Sequence, residues 1–169
     1  MDTILTEKVR NMLAIAESYK KAAMTISIFN NLIKQAAKKQ NVTINGKPIQ
    51  FDSTILSCIL LYGISIEIFL KAFNEIDSGG FGRKHLLDEL FNALPEPRRN
   101  SIIGKMEDVY KADFYTLLQH NKNIFVDWRY CYEKDILKCD ISFLKNLSVV
   151  CSCELLQEVN GSGGIPVHP

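Results

Sequence analysis

Glu67 and Lys71 stand one helical turn apart in the run Ile64 to Lys71, and Gly63 lies on the same line one turn earlier. At i, i+4 spacing a carboxylate and an amine pair along a helix, and a glycine in that line lets another backbone approach closely. Such a strip is either a solvated edge on a buried helix or the wall of a groove, where an acid and an amine can do chemistry. A second group follows in Gly82-Arg83-Lys84-His85-Leu86-Leu87, where basic side chains open an expected helix. Helix starts prefer anions, so each unpaired cation there costs about 0.3–1 kcal/mol. Arg98 and Arg99, directly after Pro97, repeat the arrangement. Free N–H groups beside cations make a phosphate site, and Arg83, Lys84, Arg98 and Arg99 are its candidate ligands. The plainer alternative is that Asp88, Glu89 and Glu96 neutralise them and nothing binds.

The densest motif is Phe125-Val126-Asp127-Trp128-Arg129-Tyr130-Cys131-Tyr132-Glu133, which holds the only Trp of the chain. On a helix Phe125, Trp128 and Tyr132 share a face while Arg129 and Glu133 pair on another. The aromatics then either close a core or, with Arg129 and the Tyr130 and Tyr132 hydroxyls, face a nucleotide base or phosphate. Other chemistries lack their residues. Cys151 and Cys153 have no nearby His or second Cys pair, so no zinc site is expected. GGFGRKH fits neither the P-loop nor the dinucleotide spacing, and the hydrolase and zincin motifs are absent. No cofactor and no metal are expected.

The elements that must position these groups read as helices. Leu5, Val9, Met12, Ala16, Tyr19, Ala23, Ile26, Phe29 and Ile33 recur at steps of three and four, which predicts a first helix from Thr3 to Lys39. Asn45-Gly46 between short alternating runs signals a small β-hairpin, limited by Pro48. A second helix is expected from Asp52 or Ser53 to Asn74, a third from Arg83 to Ala93, and a fourth from Pro97 toward Gln119 with a break near Asp113. The segment 125–133 can be helical, and a last helix is expected from Ile141 to Val159. The expected fold class is all-α: an up-and-down bundle of five to six helices with a β-hairpin between the first two, one domain over 1–160 and a frayed tail over 161–169.

Nearly half of the 169 residues are apolar (47%) and 23% are charged, which suits one globular core. The net charge of +1 excludes general polyelectrolyte attraction, so any nucleic-acid contact must come from a local patch. Five cysteines, an odd number set in apolar runs, suggest buried free thiols in a reducing, cytoplasmic setting. No signal-peptide pattern opens the sequence. Ile55 to Leu70 is apolar but shorter than the ~20 residues of a membrane span and contains Glu67, so it reads as a buried helix and no membrane partner is expected.

GISIEIFLKAF, the glycine-preceded KHLLDELFNALP and FVDWRYCYE together resemble a branch of the HEPN domains (higher eukaryotes and prokaryotes nucleotide-binding), over roughly Asp52 to Val159. The resemblance implies a helical bundle that commonly forms homodimers. Relatives serve toxin–antitoxin, abortive-infection and other defence systems, many as metal-independent ribonucleases and others as non-catalytic binders of nucleotides or partner proteins. Ribonuclease members carry an Arg separated by four to six intervening residues from a following His, and this sequence departs from that. The matching positions before His85, His120 and His168 are Ser78 to Gly80, Asp113 to Tyr115 and Gly161 to Gly163, and none is Arg. Cleavage at a 2′-hydroxyl still needs a base and a cation for the developing phosphate charge. His85 and Arg129 are the candidates, converging with Glu67 and Lys71 in one polar pocket. The expected function is therefore RNA or nucleotide binding with a non-standard ribonuclease activity. The alternative is a non-catalytic dimeric module that binds a protein partner.

Overall fold

The structure, a computed structural model, describes residues 3–40, 43, 44, 47, 48, 53–124 and 139–161. Among them are six helices: α1 (Thr3–Gln40), α2 (Ser53–Ser78), α3 (Leu87–Asn92), α4 (Glu96–Val109), α5 (Phe114–His120) and α6 (Ile141–Gly161). Between α1 and α2, the strands β1 (Thr43–Ile44) and β2 (Lys47–Pro48) run antiparallel, with Thr43 opposite Pro48 and Ile44 opposite Lys47. The Asn45-Gly46 turn and the tail from 162 onward lie outside the described residues, as does the aromatic segment 125–138.

The chain is an all-α bundle centred on α2, which packs along α1 and against α6, while α3 closes one end and α4 leans on α6. Residues 57–78 of α2 are apolar and long enough to cross a membrane by length and composition, and 67% of the most apolar stretch is buried within the fold. Ile59, Tyr62, Ile66, Phe69, Leu70 and Phe73 share one face of the helix, an arc of about 100°, and point into one core. Val9, Leu13, Ala16 and Ala23 bring one stripe of α1 against it. The two alanines carry little side chain, which lets the helices approach closely, and the Cys58 thiol donates to the Ala23 carbonyl at 3.5 Å. From α6, Phe143, Leu144, Leu147, Cys151 and Leu155 complete the layer. Phe114 of α5 ties this layer to α3, with ring centroids 4.8 Å from Phe91 and 5.6 Å from Phe143.

Local chemistry sets the boundaries. Pro97 sits in the first turn of α4, where its missing N–H costs nothing. The expected break near Asp113 is real. Its carboxylate caps α5, accepting from the backbone N–H groups of Tyr115 and Thr116 and from the Thr116 hydroxyl. Those bonds from Thr116 hold the carboxyl below the ordinary aspartate range. Asp140 does the same for α6 through the Phe143 N–H at 2.9 Å, and its other oxygen accepts the Tyr110 hydroxyl at 2.6 Å.

Four expectations need correction. The second helix runs on to Ser78, one turn beyond Asn74, and ends where Gly79 takes φ 70° and its N–H returns to the Glu75 carbonyl at 3.1 Å. The third helix starts at Leu87 and not at Arg83, because Leu86 is extended (φ −75°, ψ 131°) and the Leu87 N–H is taken by the Lys122 carbonyl at 3.1 Å. Cys153 is exposed on α6, whereas Cys58 and Cys151 are buried. Burial pushes both buried thiols up. Finally, what approaches Gly63 is a side chain: a Cβ there would lie 2.7 Å from Cγ2 of Ile124, itself buried.

Gly63→Ala should therefore destabilise the fold by about 1–3 kcal/mol through overpacking, despite the better helix propensity of alanine. In urea unfolding, Ile124→Ala is costly alone but removes the clash, so the double variant should lose less than the sum of the two singles. Additive losses would show that the contact does not constrain this position.

Candidate functional site

Glu67 lies midway along α2, one residue after Ile66 and two before Phe69, both fully buried, and is itself only 9% exposed. An ionised carboxylate in such surroundings needs partners. Both are present on a single oxygen. Oε1 accepts the Lys71 ammonium at 2.7 Å and Nδ1 of His85 at 3.0 Å. A carboxylate can only accept, so Nδ1 carries the proton of this bond and the Nε2 edge is directed away from it. The His85 side chain is 57% exposed, so that edge reaches solvent. This is the arrangement in which an acid orients an imidazole and leaves its outer nitrogen to take a proton.

The chain that delivers His85 is a glycine-rich strap, residues 79–86, between α2 and α3. Gly79 and Gly82 have φ of 70° and 61°, which only glycine adopts without strain, and a Cβ at either would meet nothing within 4 Å. Backbone direction, not crowding, requires them. Between them Phe81 folds back over α2, its ring 5.1 Å from Nζ of Lys71 and 5.8 Å from Nζ of Lys8 on α1. Lys8 in turn pairs with the buried Glu75 at 2.7 Å. At the base of the strap Asn74 donates to the Leu70 and Leu90 carbonyls, joining α2 to α3. The strap is thus held at both ends and by Phe81 and His85 in the middle.

Glu67, Lys71 and His85 come together here. Arg129, Tyr130 and Tyr132 lie outside the described residues. Arg83 and Lys84 are exposed on the strap directly before His85 and make no ion pair among the described residues, but they precede α3 by several residues and do not sit at a helix start. Arg98 is committed elsewhere. Its guanidinium bonds Asp77 at 2.6 and 2.7 Å and Glu158 at 2.6 and 3.1 Å while stacking 4.6 Å over Phe73. Burial works against its charge, but the two carboxylates more than restore it, so it stays firmly protonated and clamps α2, α4 and α6 together. Arg99 donates to the Asn92 carbonyl at 3.2 Å, closing the end of α3. Arg98, with its guanidinium taken up by two carboxylates, is not disposed as a phosphate ligand.

Sequence reasoning missed Phe81, Lys8 and Glu75. The phenylalanine inside GGFG was the available signal, since an aromatic between flexible glycines needs a surface to lie on. Two other polar nodes are internal. Lys20 bonds Glu17 and Ser152, each at 2.6 Å, with a Ser152 to Glu17 bond closing the triangle, and Ser65 meets Ser148 at 3.0 Å. Ser152 is 1% exposed, which closes it to any substrate. Tyr62 is buried with an unpartnered hydroxyl, and burial, then the nearby Cys58, pushes its pKa up to about 12. No group of metal-ligating side chains occurs among the described residues.

Arg98→Ala should lower stability by about 1.5–3 kcal/mol, the range for hydrogen bonds to charged groups, and Arg99→Ala by under about 1 kcal/mol. Chemical denaturation measures both, and equal effects would remove the distinction drawn here. As to kinship, no protein-family model, no curated protein and no solved structure matches this chain.

Proposed function

We propose that this chain is an RNA- or nucleotide-binding domain of the HEPN-like kind, belonging to a toxin or other defence system, with Lys71, Glu67 and His85 as its polar centre. The observation that carries the reading is the one carboxylate oxygen that holds both the ammonium and the imidazole, leaving the imidazole's outer edge exposed. Arg83 and Lys84, neighbours of His85 on the strap, supply phosphate contacts, and Tyr130 and Tyr132 supply base contacts. The activity this arrangement can perform is metal-independent strand cleavage. Nε2 of His85 takes the 2′-hydroxyl proton, the 2′-oxygen attacks phosphorus, and the P–O5′ bond breaks to leave a 2′,3′-cyclic phosphate and a 5′-hydroxyl, which takes its proton from water. Arg129 is the cation for the charge that develops on the phosphate.

A second reading, a non-catalytic homodimeric module that binds a protein partner, is favoured by the outer face of α1. Met12, Ile15, Tyr19, Ala22, Ile26 and Phe29 recur at alternating steps of three and four on a line beside the core stripe. Ile15 and Phe29 on that line are 50% and 61% exposed, and nearby Ile28 is 57% exposed.

Incubating the protein with single-stranded RNA in EDTA, beside His85→Ala and Arg129→Ala, separates these readings. Cleavage should fall by about 100-fold or more in His85→Ala, the usual contribution of a general base. Intact RNA with the wild type would assign the domain to binding alone, and no binding of RNA or nucleotides at low salt would overturn the first reading. For the second, sedimentation should give a dimer that Ile15→Lys with Phe29→Lys converts to monomer. A wild type that stays monomeric at all concentrations would dismiss it.

A further inference from the structure

Among the described residues, Glu67 uses one carboxylate oxygen twice and the other not at all. Oε1 takes both Lys71 and His85, and Oε2 accepts no hydrogen bond among the described residues. It is not sealed either, since the one unpartnered side-chain polar atom shut off from solvent among those residues is the Tyr62 hydroxyl. A carboxylate can accept about four hydrogen bonds, so this nine-tenths buried acid has acceptor capacity that the described residues leave unfilled. Only a donor can fill it. A phosphate oxygen would be repelled by the carboxylate, while the neighbouring Arg83 and Lys84 on the strap favour phosphate. The ligand this pattern fits carries a hydroxyl donor directly beside an anionic group. In a nucleic-acid strand that pair is the ribose 2′-hydroxyl and its adjacent 3′-phosphate, and a deoxyribose strand lacks the hydroxyl.

We infer that Glu67 reads the 2′-hydroxyl through Oε2 and that this contact makes the face select ribonucleotide over deoxyribonucleotide strands. The inference rests on the RNA-binding reading and adds the group that carries sugar selectivity in the binding step; the hydroxyl has one proton, so in any cleavage step it must leave Oε2 before Nε2 of His85 can take it. Lys71 is the positioning residue: by holding Oε1 at 2.7 Å it fixes the plane of the carboxylate.

The test is fluorescence anisotropy in EDTA at low salt with four labelled single strands of one sequence: RNA, DNA, 2′-fluoro and 2′-O-methyl. The 2′-fluoro strand keeps an RNA-like sugar pucker but has no proton to donate. RNA should bind about tenfold or more tightly than each of the other three, as expected for a hydrogen bond to a charged acceptor. Because only the ligand changes, protein folding does not enter the comparison. Glu67→Ala, confirmed as folded by circular dichroism, should bring the RNA-to-DNA ratio to about one while phosphate-driven binding persists. A 2′-fluoro strand that binds as well as RNA would mean that sugar shape is read, and would overturn the inference. So would equal binding of RNA and DNA by the wild type, which leaves RNA binding itself intact, or an RNA preference that survives Glu67→Ala. Failure to bind any strand would overturn the RNA-binding reading along with it.

Discussion

An ionised carboxylate on the most buried helix of the bundle is the constraint from which the geometry around it follows. Stripping water from Glu67 without replacement would be far more costly than the net stability of an ordinary domain allows, so the charge must be met inside the fold. Lys71, one turn along α2, meets part of it, but an amine at i+4 alone leaves the carboxylate under-bonded. The second partner must come from elsewhere in the chain. That requires the backbone to reverse after Ser78 and travel back along α2, and the positive φ of Gly79 and Gly82 makes such a path available. Phe81 then lies over Lys71, which stabilises the ammonium and shields the pair from water. Once His85 reaches Glu67, Leu86 is left extended and α3 can start only at Leu87.

The other polar nodes obey the same rule with a different result. Arg98 donates to the carboxylates of both Asp77 and Glu158, and the cation is capped by Phe73. Lys20, Glu17 and Ser152 form a closed triangle, and Asn74 spends its amide on two carbonyls. These nodes hold helices together. The Glu67 cluster differs in leaving an imidazole edge and a carboxylate oxygen without a partner among the described residues. A polar group only half used where burial is otherwise strict departs from the consistency the other nodes show.

Long periodic segments were legible because their signal is local. The stripe of α1, the apolar run of α2 and the break near Asp113 depend on residues within a few positions of one another. What escaped depends on distance along the chain. The start of α3 is decided by the carbonyl of Lys122, and the fate of Arg98 by Asp77 and Glu158, none of them its sequence neighbours. Read locally, a cation after Pro97 suggests an anion site; read in three dimensions, its anions are already supplied. The Glu67, Lys71 and His85 convergence lay between these cases. The acid and amine are a helical pair visible in the sequence, and the imidazole joins them across a loop short enough to have few other routes.

The modest net charge bears on how such a site would work. Lys71 pairs with Glu67 and Lys8 with Glu75, which leaves Arg83 and Lys84 as cations of the strap with no ion pair among the described residues. Two cations attract a polyanion only weakly at physiological ionic strength, where screening acts over about 8 Å. Recognition here therefore has to come from contacts made at close range and not from steering. Because the strap places its cations directly before the imidazole, anionic and hydroxyl-bearing parts of a ligand would have to be neighbours to engage both. Selectivity and geometry then become the same requirement, and the pairing of Glu67 with His85 is what keeps the two halves of that requirement in register.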